Sequence, residues 1–315
     1  MDETVFQSLL QKELAISTSE SGRLIARAPY AYKTYSIKKA NGGRRTISQP
    51  AKETKFVMRW LVDRIFSKLP IHECASAYQK GSSIKRNAIT HSNNGYIAKF
   101  DFKDFFPSIK REDIETHLYQ YLPKDLELDR KSISQIARLC TISTGGGRLA
   151  LSVGSPASPA LSNSIMFDFD TIIANWCFSN SIFYTRYADD LTFSTNRKGL
   201  SFLILEQIHN TLSEVNYPQL SINDRKTVYS SKKGHRRVTG VVINNNGKLS
   251  LGRERKRKIS SMVHKSCLGV LSDDETRHLQ GLLGFAKDVE PLFIIRLKNK
   301  YGKRAIQEIF NSQII

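Results

Sequence analysis

The sequence predicts an α+β fold in which antiparallel hairpins are mixed with helices. Two observations point there. Runs rich in aromatic and β-branched residues flank turn residues at Asn41-Gly42-Gly43 and again at Asp189-Asp190. Apolar residues recur at helical spacing in the segments between them, without the regular strand–helix alternation of a doubly wound sheet. The chain has 315 residues, of which 40% are hydrophobic, enough for one large domain or two to three joined subdomains.

In chain order, Val5, Leu9, Leu10 and Leu14 place short helices in residues 1–30. Tyr35-Ser36-Ile37 and Arg45-Thr46-Ile47 alternate as the arms of a hairpin over 33–49, and Pro50 closes the second arm. Phe56, Met58, Trp60, Leu61, Ile65 and Phe66 give a helix over 52–69. Segment 96–106 reads as a strand ending at Pro107, and 111–122 and 129–142 as helices. Gly145-Gly146-Gly147 is a loop. An apolar helix over 157–178 is entered through Ser155-Pro156. Strands over 182–187 and 191–195 flank the acidic turn. A helix over 199–215 follows, then strands near 226–230, 236–243 and 248–251, and helices over 253–311.

Lys and Arg total 48 against 29 acids, a net charge of +19. An enzyme of small molecules needs no such excess; a partner with closely spaced phosphates does, because neutralising each phosphate releases counterions. The excess is densest from Lys226 to Lys265, with twelve basic residues and one acid, Glu254. Its centre, Arg253-Glu254-Arg255-Lys256-Arg257-Lys258, is either a solvated helix face or a phosphate-tracking surface. Cys74, Cys140, Cys177 and Cys267 form no C-x-x-C pair, so neither a zinc site nor a redox pair is indicated. The N-terminal MDETVFQSLLQKEL has no apolar signal core, and no run approaches the roughly 18 apolar residues of a membrane span. A cytoplasmic protein without a membrane partner is expected.

Two acidic clusters stand out. Asp101 lies in Lys99-Phe100-Asp101-Phe102-Lys103-Asp104-Phe105-Phe106-Pro107, at the end of an apolar strand. Asp189 and Asp190 sit 88 and 89 residues later, in the turn of Tyr184-Thr185-Arg186-Tyr187-Ala188-Asp189-Asp190-Leu191. An Asp-Asp turn alone is ordinary hairpin chemistry. Paired with a strand-borne aspartate, it suggests a site for hard divalent cations, because adjacent carboxylates repel unless cations occupy the site. Two Mg²⁺ ions about 3.5–4 Å apart could then activate a hydroxyl and stabilise a leaving oxygen.

Tyr187-Ala188-Asp189-Asp190 resembles the Y-x-D-D box of reverse transcriptases, and the Asp101 segment resembles their first palm motif. The resemblance implies a right-hand polymerase with an antiparallel palm sheet packed on helices, and RNA-directed DNA synthesis. It makes Asp101, Asp189 and Asp190 catalytic metal ligands, joined by the Phe102 carbonyl, with two Mg²⁺ ions or Mn²⁺ in their place. Phe106 matches the steric gate that excludes ribonucleotides, its alternative being a core phenylalanine; Asp104 and Phe105 fall in the same nucleotide-binding segment. Arg44-Arg45-Thr46-Ile47-Ser48-Gln49-Pro50 is similar to the fingers motif, where Arg45 would hold the triphosphate. Gly154-Ser155-Pro156-Ala157-Ser158-Pro159 resembles the floor of the nucleotide pocket, but Val153 stands where the family usually has glutamine. Lys226 resembles the palm lysine near the pyrophosphate, its alternative being a surface charge.

Asn87-Ala88-Ile89-Thr90-His91 fits the N-A-x-x-H pattern, and Val238-Thr239-Gly240 the V-T-G pattern, of bacterial retron enzymes. His91 alone could equally be a structural histidine. The retron resemblance implies a cognate structured noncoding RNA, primed from a 2′-hydroxyl of an internal guanosine. The product would be branched RNA-linked single-stranded DNA, made from deoxynucleoside triphosphates within an anti-phage system that includes an effector protein. Asn87, His91, Arg255, Lys256, Arg257 and Lys258 would face that RNA. The expected organisation is N-terminal helices and fingers over 1–95, palm over 96–245 with a fingers insertion near 110–150, and helical thumb over 246–315. Group II intron, diversity-generating and abortive-infection enzymes are alternatives, as is a noncatalytic RNA-binding scaffold or antitoxin. The two short patterns, in a chain with no ribonuclease H or maturase extension, favour the retron class. The intact aspartates and Arg45 favour catalysis.

Overall fold

The computed structural model describes residues 3–38 and 42–311; Asn41 of the first predicted turn, and residues 312–315 of the C-terminal segment, lie outside them. Helices α1 (Val5–Leu14) and α2 (Thr18–Arg27) each start at a capping box, Thr4 with Gln7 and Ser17 with Glu20. Strands β1 (Tyr32–Lys38) and β2 (Arg44–Pro50) pair antiparallel, with Tyr35 opposite Ile47. Helix α3 (Lys52–Arg64) gives way to a 3₁₀ turn over Phe66–Lys68. Helix α4 (Ile84–Thr90), capped by Ser83, was not expected; seven residues are too few to display a period.

Strand β3 (Tyr96–Asp101) stops short of the predicted end at 106. Asp104 adopts a φ of 46°, which Asp tolerates better than most residues, and α5 (Phe105–Ser108) coils instead of extending the strand. Helices α6 (Arg111–Tyr121) and α7 (Arg130–Leu139) follow. Strands β4 (Ile142–Ser143) and β5 (Leu149–Ala150) pair around the glycine triplet, whose three φ values are all positive. The predicted helix over 157–178 is two, α8 (Ser158–Ile165) and α9 (Phe167–Ser179), interrupted where Met166 has a ψ of 4°.

Strands β6 (Phe183–Tyr187) and β7 (Asp190–Thr195) flank the acidic turn as predicted, and α10 (Ser201–Glu214) follows. Strand β8 (Val228–Ser231) comes next. The predicted strand over 236–243 is a tight hairpin of β9 (Arg236–Val238) and β10 (Val241–Ile243), with Val238 opposite Val241. Its two central residues, Thr239 and Gly240, have φ of 44° and 82°, the double positive φ that two-residue hairpins favour. The chain ends with β11 (Leu249–Ser250), α11 (Arg253–Cys267), α12 (Asp273–Val289), α13 (Pro291–Tyr301) and α14 (Lys303–Asn311).

The chain packs as two compact units: Met1–Lys80, Lys99–Leu191 and Leu200–Thr227 form one, and Gly81–Ala98, Thr192–Gly199 and Val228–Ile315 the other. The strands run in sheets of order β6-β7-β3-β8 and β11-β10-β9, besides the β1-β2 and β4-β5 pairs. In the first unit α1 is fastened to α7, the Phe6 N–H donating to Ser132 Oγ at 3.0 Å. Beneath the end of β3, Phe102 stacks on Phe105 and meets the edge of Phe169. The second unit has its own core, in which Val238, Val241 and Ile243 of the hairpin meet Ile259, Val263, Leu279 and Leu283 of α11 and α12. Burying each such side chain contributes about 1.5–3 kcal/mol. Among the described residues no helix is long and apolar enough to cross a membrane.

Candidate active site

All three predicted aspartates lie in the first unit, and backbone bonds bring their segments together. The Phe102 N–H donates to the Asp189 carbonyl at 3.0 Å, which ties the acidic turn to the end of β3. On the other side, the Asn223 N–H donates to the Asp101 carbonyl at 2.7 Å and the Lys103 N–H to the Ser221 carbonyl at 2.9 Å. The turn itself is tight: Ala188 has a φ of 56°.

The side chains are electrostatically coupled. Burial pushes the Asp101 carboxyl above its ordinary value and Asp190 adds to this, while Lys226 opposes it. Asp189 is raised by burial and then by Asp101; Asp190 is raised by burial, with Lys99 opposing and Asp189 adding. Lys226 Nζ lies 2.5 Å from Asp101 Oδ1. Burial works against its charge, but the three carboxylates outweigh that and hold the ammonium above its ordinary range. Lys226 is therefore the counter-charge of this cluster, on a 3₁₀ turn rather than in the predicted strand.

Among the described residues no three acidic, His or Cys side chains are drawn together as a ready-made metal cage. The donor chemistry nevertheless suits a hard cation. These are carboxylate oxygens whose charged forms are disfavoured by burial and mutual repulsion, the condition a divalent ion relieves.

The acidic turn is braced from inside by a residue the sequence reading assigned no role. Arg186, on β6, is completely buried and faces an equally buried Asp170 of α9. Its Nε donates to Asp170 Oδ1 at 2.9 Å and its Nη2 to Oδ2 at 2.6 Å, a bidentate pair. Tyr184 Oη donates to the same carboxylate at 2.8 Å. Arg186 Nη1 reaches Asn163 Oδ1 and, at 3.2 Å, the Ala188 carbonyl inside the turn. The Arg186 backbone is held too, its N–H donating to the Cys74 carbonyl and its carbonyl accepting from the Ser76 N–H. A charged residue in a strand otherwise of aromatic residues and one threonine, with an aspartate in an apolar helix upstream, was the available signal.

The predicted nucleotide-pocket residues also gather in the first unit. Phe106, half-buried, lines a cavity of about 230 Å³ with Val153, Gly154, Ser155 and Tyr78. Phe105 turns into the core instead; Asp104 is exposed at the start of α5. The Ser48 N–H donates to the Val153 carbonyl at 2.7 Å, strapping β2 to the cavity floor. A Cβ on Gly154 would stand 2.9 Å from the Ser48 carbonyl oxygen, and its φ is +115°, so only glycine fits. The Ser155 hydroxyl accepts from the Ala157 N–H and contacts Met58 Sδ, so it supports the start of α8. Arg45 is exposed, and its charge partly opposes the rise that burial gives the pKa of both Asp189 and the Tyr78 phenol.

The predicted RNA-facing residues belong to the second unit, and most are turned inward. His91 is fully buried and its Nδ1 lies 2.7 Å from Ser194 Oγ; burial pushes its pKa down to about 3, so it is neutral. Asn87, also buried, donates to Thr239 Oγ1, and the Thr239 hydroxyl donates to the Ile84 carbonyl. The N-A-x-x-H and V-T-G patterns are thus two sides of one internal joint between α4 and the β9–β10 turn. Arg255 Nη1 donates to the Gly240 carbonyl, with the guanidinium over the Phe285 ring, and Lys256 pairs with Glu290 at 2.7 Å. Arg257 and Lys258 are exposed. A neutral buried histidine and inward-turned basic groups correct the expectation that all six face RNA.

The reverse transcriptase (RNA-dependent DNA polymerase) family model matches residues 37–243. The architecture is the α+β fold with antiparallel pairs that the sequence predicts, and the chain is an RNA-directed DNA polymerase. Retron Ec83 reverse transcriptase of Escherichia coli is 41% identical over 278 residues, covering 88% of this chain and 89% of its own length. Retron Ec73 reverse transcriptase of the same organism is 36% identical, covering 91% of this chain and 93% of its own. The chain belongs to the retron reverse transcriptases. Among solved structures, the foamy viral protease-reverse transcriptase in complex with RNA/DNA hybrid aligns at 16% identity and a TM-score of 0.46, over 89% of this chain and 33% of its own.

Breaking a buried ion pair by removing one partner costs about 3–5 kcal/mol, whereas replacing both by apolar groups of similar volume is often neutral. We predict that Asp170→Ala lowers unfolding stability in urea by about 3–5 kcal/mol. The double variant Asp170→Leu/Arg186→Met should recover most of that loss yet polymerise poorly, because the Ala188 carbonyl loses its donor. A double variant with parental activity would show that the turn needs no brace.

Proposed function

We propose that the protein copies a structured noncoding RNA into branched, RNA-linked single-stranded DNA. The observation that carries this reading is the convergence of Asp101, Asp189 and Asp190 around the Phe102–Asp189 backbone bond, with Lys226 as counter-charge. In this reading Asp101, Asp189, Asp190 and the Phe102 carbonyl hold two Mg²⁺ ions, with Mn²⁺ as a substitute. When bound, the metals would lower the cost of ionising the primer hydroxyl and of charge on the departing pyrophosphate. Arg45 binds the triphosphate oxygens from the end of β2. Phe106 crowds the sugar's 2′ position, and Gly154 and Ser155 hold the pocket floor in register. Lys226 supplies positive charge where pyrophosphate leaves.

The proposed organisation is fingers over 1–95, palm over 96–245 with the insertion near 110–150, and thumb over 246–315. Within the thumb, Arg253, Arg257 and Lys258 are the exposed members of the basic cluster, Lys258 Nζ lying 2.9 Å from His278 Nε2, and Arg257 and Lys258 are adjacent groups for RNA phosphates. Four unpaired cysteines, three of them buried, fit a reducing cytoplasm. A role beside an effector protein in anti-phage defence completes the proposal, on the strength of the retron relatives. Incubating the purified protein with total RNA, Mg²⁺ and labelled deoxynucleotides tests it. A discrete branched product supports the reading; bound RNA with no synthesis favours a scaffold.

Asp190→Asn should lower polymerisation at least 100-fold while leaving RNA binding intact. Its thermal midpoint in chelator should equal or exceed the parent's, because one repelling carboxylate is gone. Near-parental synthesis would refute the metal-ligand role. For Phe106→Ala, the ratio of kcat/KM for ribonucleotides to that for deoxynucleotides should rise; an unchanged ratio would make Phe106 a packing residue.

The double variant Arg257→Ala/Lys258→Ala should weaken RNA binding. It should also reduce the slope of log K against log salt by about 1.5, at roughly 0.7–0.9 per lost phosphate contact. Arg255→Ala should instead lower thermal stability. An unchanged salt slope in the double variant would place the RNA elsewhere.

A further inference from the structure

Tyr78 belongs to none of the motifs, yet among the non-glycine residues that line the cavity beside Phe106 it is the one with a positive φ. It has a φ of 60°, a left-handed conformation that is an outlier for a bulky aromatic residue. Such strain persists only where the surroundings over-determine it. Here they do. Ala75 bridges to Arg186, and the Ser76 N–H donates to the Arg186 carbonyl at 2.7 Å. The Ala77 carbonyl accepts from Asn163 Nδ2 at 2.8 Å. The segment leading into Tyr78 is thus fastened both to the strand before Asp189 and to α8 of the cavity floor. The strained residue then delivers its ring to the same cavity that Phe106, Val153 and Gly154 line.

The chemistry of the cavity leaves a gap that Tyr78 fills. Val153 has no hydrogen-bonding side chain, the Ser155 hydroxyl is engaged with α8 and the Ser152 hydroxyl with the Ser48 carbonyl; of the remaining polar groups that line the cavity, Lys55, Ser158 and Tyr78, the Ser158 side chain is buried and Tyr78 carries the exposed hydroxyl. The Tyr78 hydroxyl has no protein hydrogen-bond partner among the described residues, and its ring is about half exposed at 55%. Burial raises its phenol pKa, Asp189 and Tyr187 add to that, and Arg45 opposes it, so the phenol lies within reach of both site charges.

We propose that Tyr78 is a specificity-determining wall of the nucleotide pocket: its ring closes the cavity with Phe106, and its hydroxyl donates to the sugar–phosphate end of the incoming deoxynucleotide. The proposal rests on the reading of this cavity as the nucleotide pocket. It gives this chain a polar contact that Val153 cannot supply.

The test is steady-state single-nucleotide incorporation by Tyr78→Phe, Tyr78→Gly and Phe106→Ala on a primed template, with thermal midpoints measured alongside. Tyr78→Phe keeps the ring and should raise KM for the deoxynucleotide about threefold to tenfold, the value of one hydrogen bond, with kcat within about twofold. Tyr78→Gly relaxes the backbone, so its thermal midpoint should not fall, while KM and relative ribonucleotide use rise further. A purely structural Tyr78 would instead lower the midpoint without splitting KM from kcat, and that result overturns the proposal. Parental KM and sugar discrimination in both Tyr78 variants, with Phe106→Ala altered, also overturn it and leave the pocket standing. If Phe106→Ala is unchanged as well, the pocket reading itself fails.

Discussion

The geometry of the acidic turn depends on the buried pair of Arg186 and Asp170. Two adjacent aspartates in a tight turn repel, and the turn holds a non-glycine residue at positive φ. Neither cost is met within the turn. It is met below, where Arg186 spreads five donors over Asp170, Asn163 and the Ala188 carbonyl. A lysine could not do this, having no planar fork to span two carboxylate oxygens and two carbonyls at once. With Tyr184 also donating to Asp170, the network is well satisfied, which is what makes a fully buried ion pair tolerable.

A second consequence follows from where that arginine's backbone is bonded. Its N–H and carbonyl hold residues 74–76, and its guanidinium holds Asn163, which in turn holds Ala77. One residue therefore registers the acidic turn, the floor helix α8 and the segment of Tyr78 against one another. The carboxylates and the cavity beside Phe106 are built around a common strut, so displacing it would disturb both together.

The sequence made legible what depends on short-range pattern. The hairpin around Asp189 and Asp190 and the apolar spacing of the helices carry their reasons within a few residues. Asp101 was legible because an aspartate ending an apolar strand is chemically out of place. Residues whose meaning depends on distant partners were not legible. Arg186 and Asp170 explain each other only once β6 lies on α9. Asn87 and Thr239 are 152 residues apart and meet in one hydrogen bond. The basic stretch misled for the same reason: charge counts cannot distinguish Arg257, in solvent, from Arg236, which is buried and donates to the Asn94 and Asn244 carbonyls. Breaks in regular structure were missed where a single residue's dihedral decides them, as at Asp104, Met166 and Thr239.

The departure at Val153 can be placed on the same physical footing. What fixes the cavity floor is backbone: the Val153 carbonyl accepts from Ser48, and Gly154 passes so close to Ser48 that no side chain fits. Neither feature involves the side chain at 153. A glutamine there can be exchanged for valine without moving the strap or the glycine, so the scaffold tolerates the change and only a polar contact is lost. That loss falls on a half-buried surface, where an amide would have been free to meet a ligand. In the proposed nucleotide pocket, polar recognition would then fall to groups already held rigidly around the cavity, and rigid placement is what lets a single hydrogen bond discriminate between substrates.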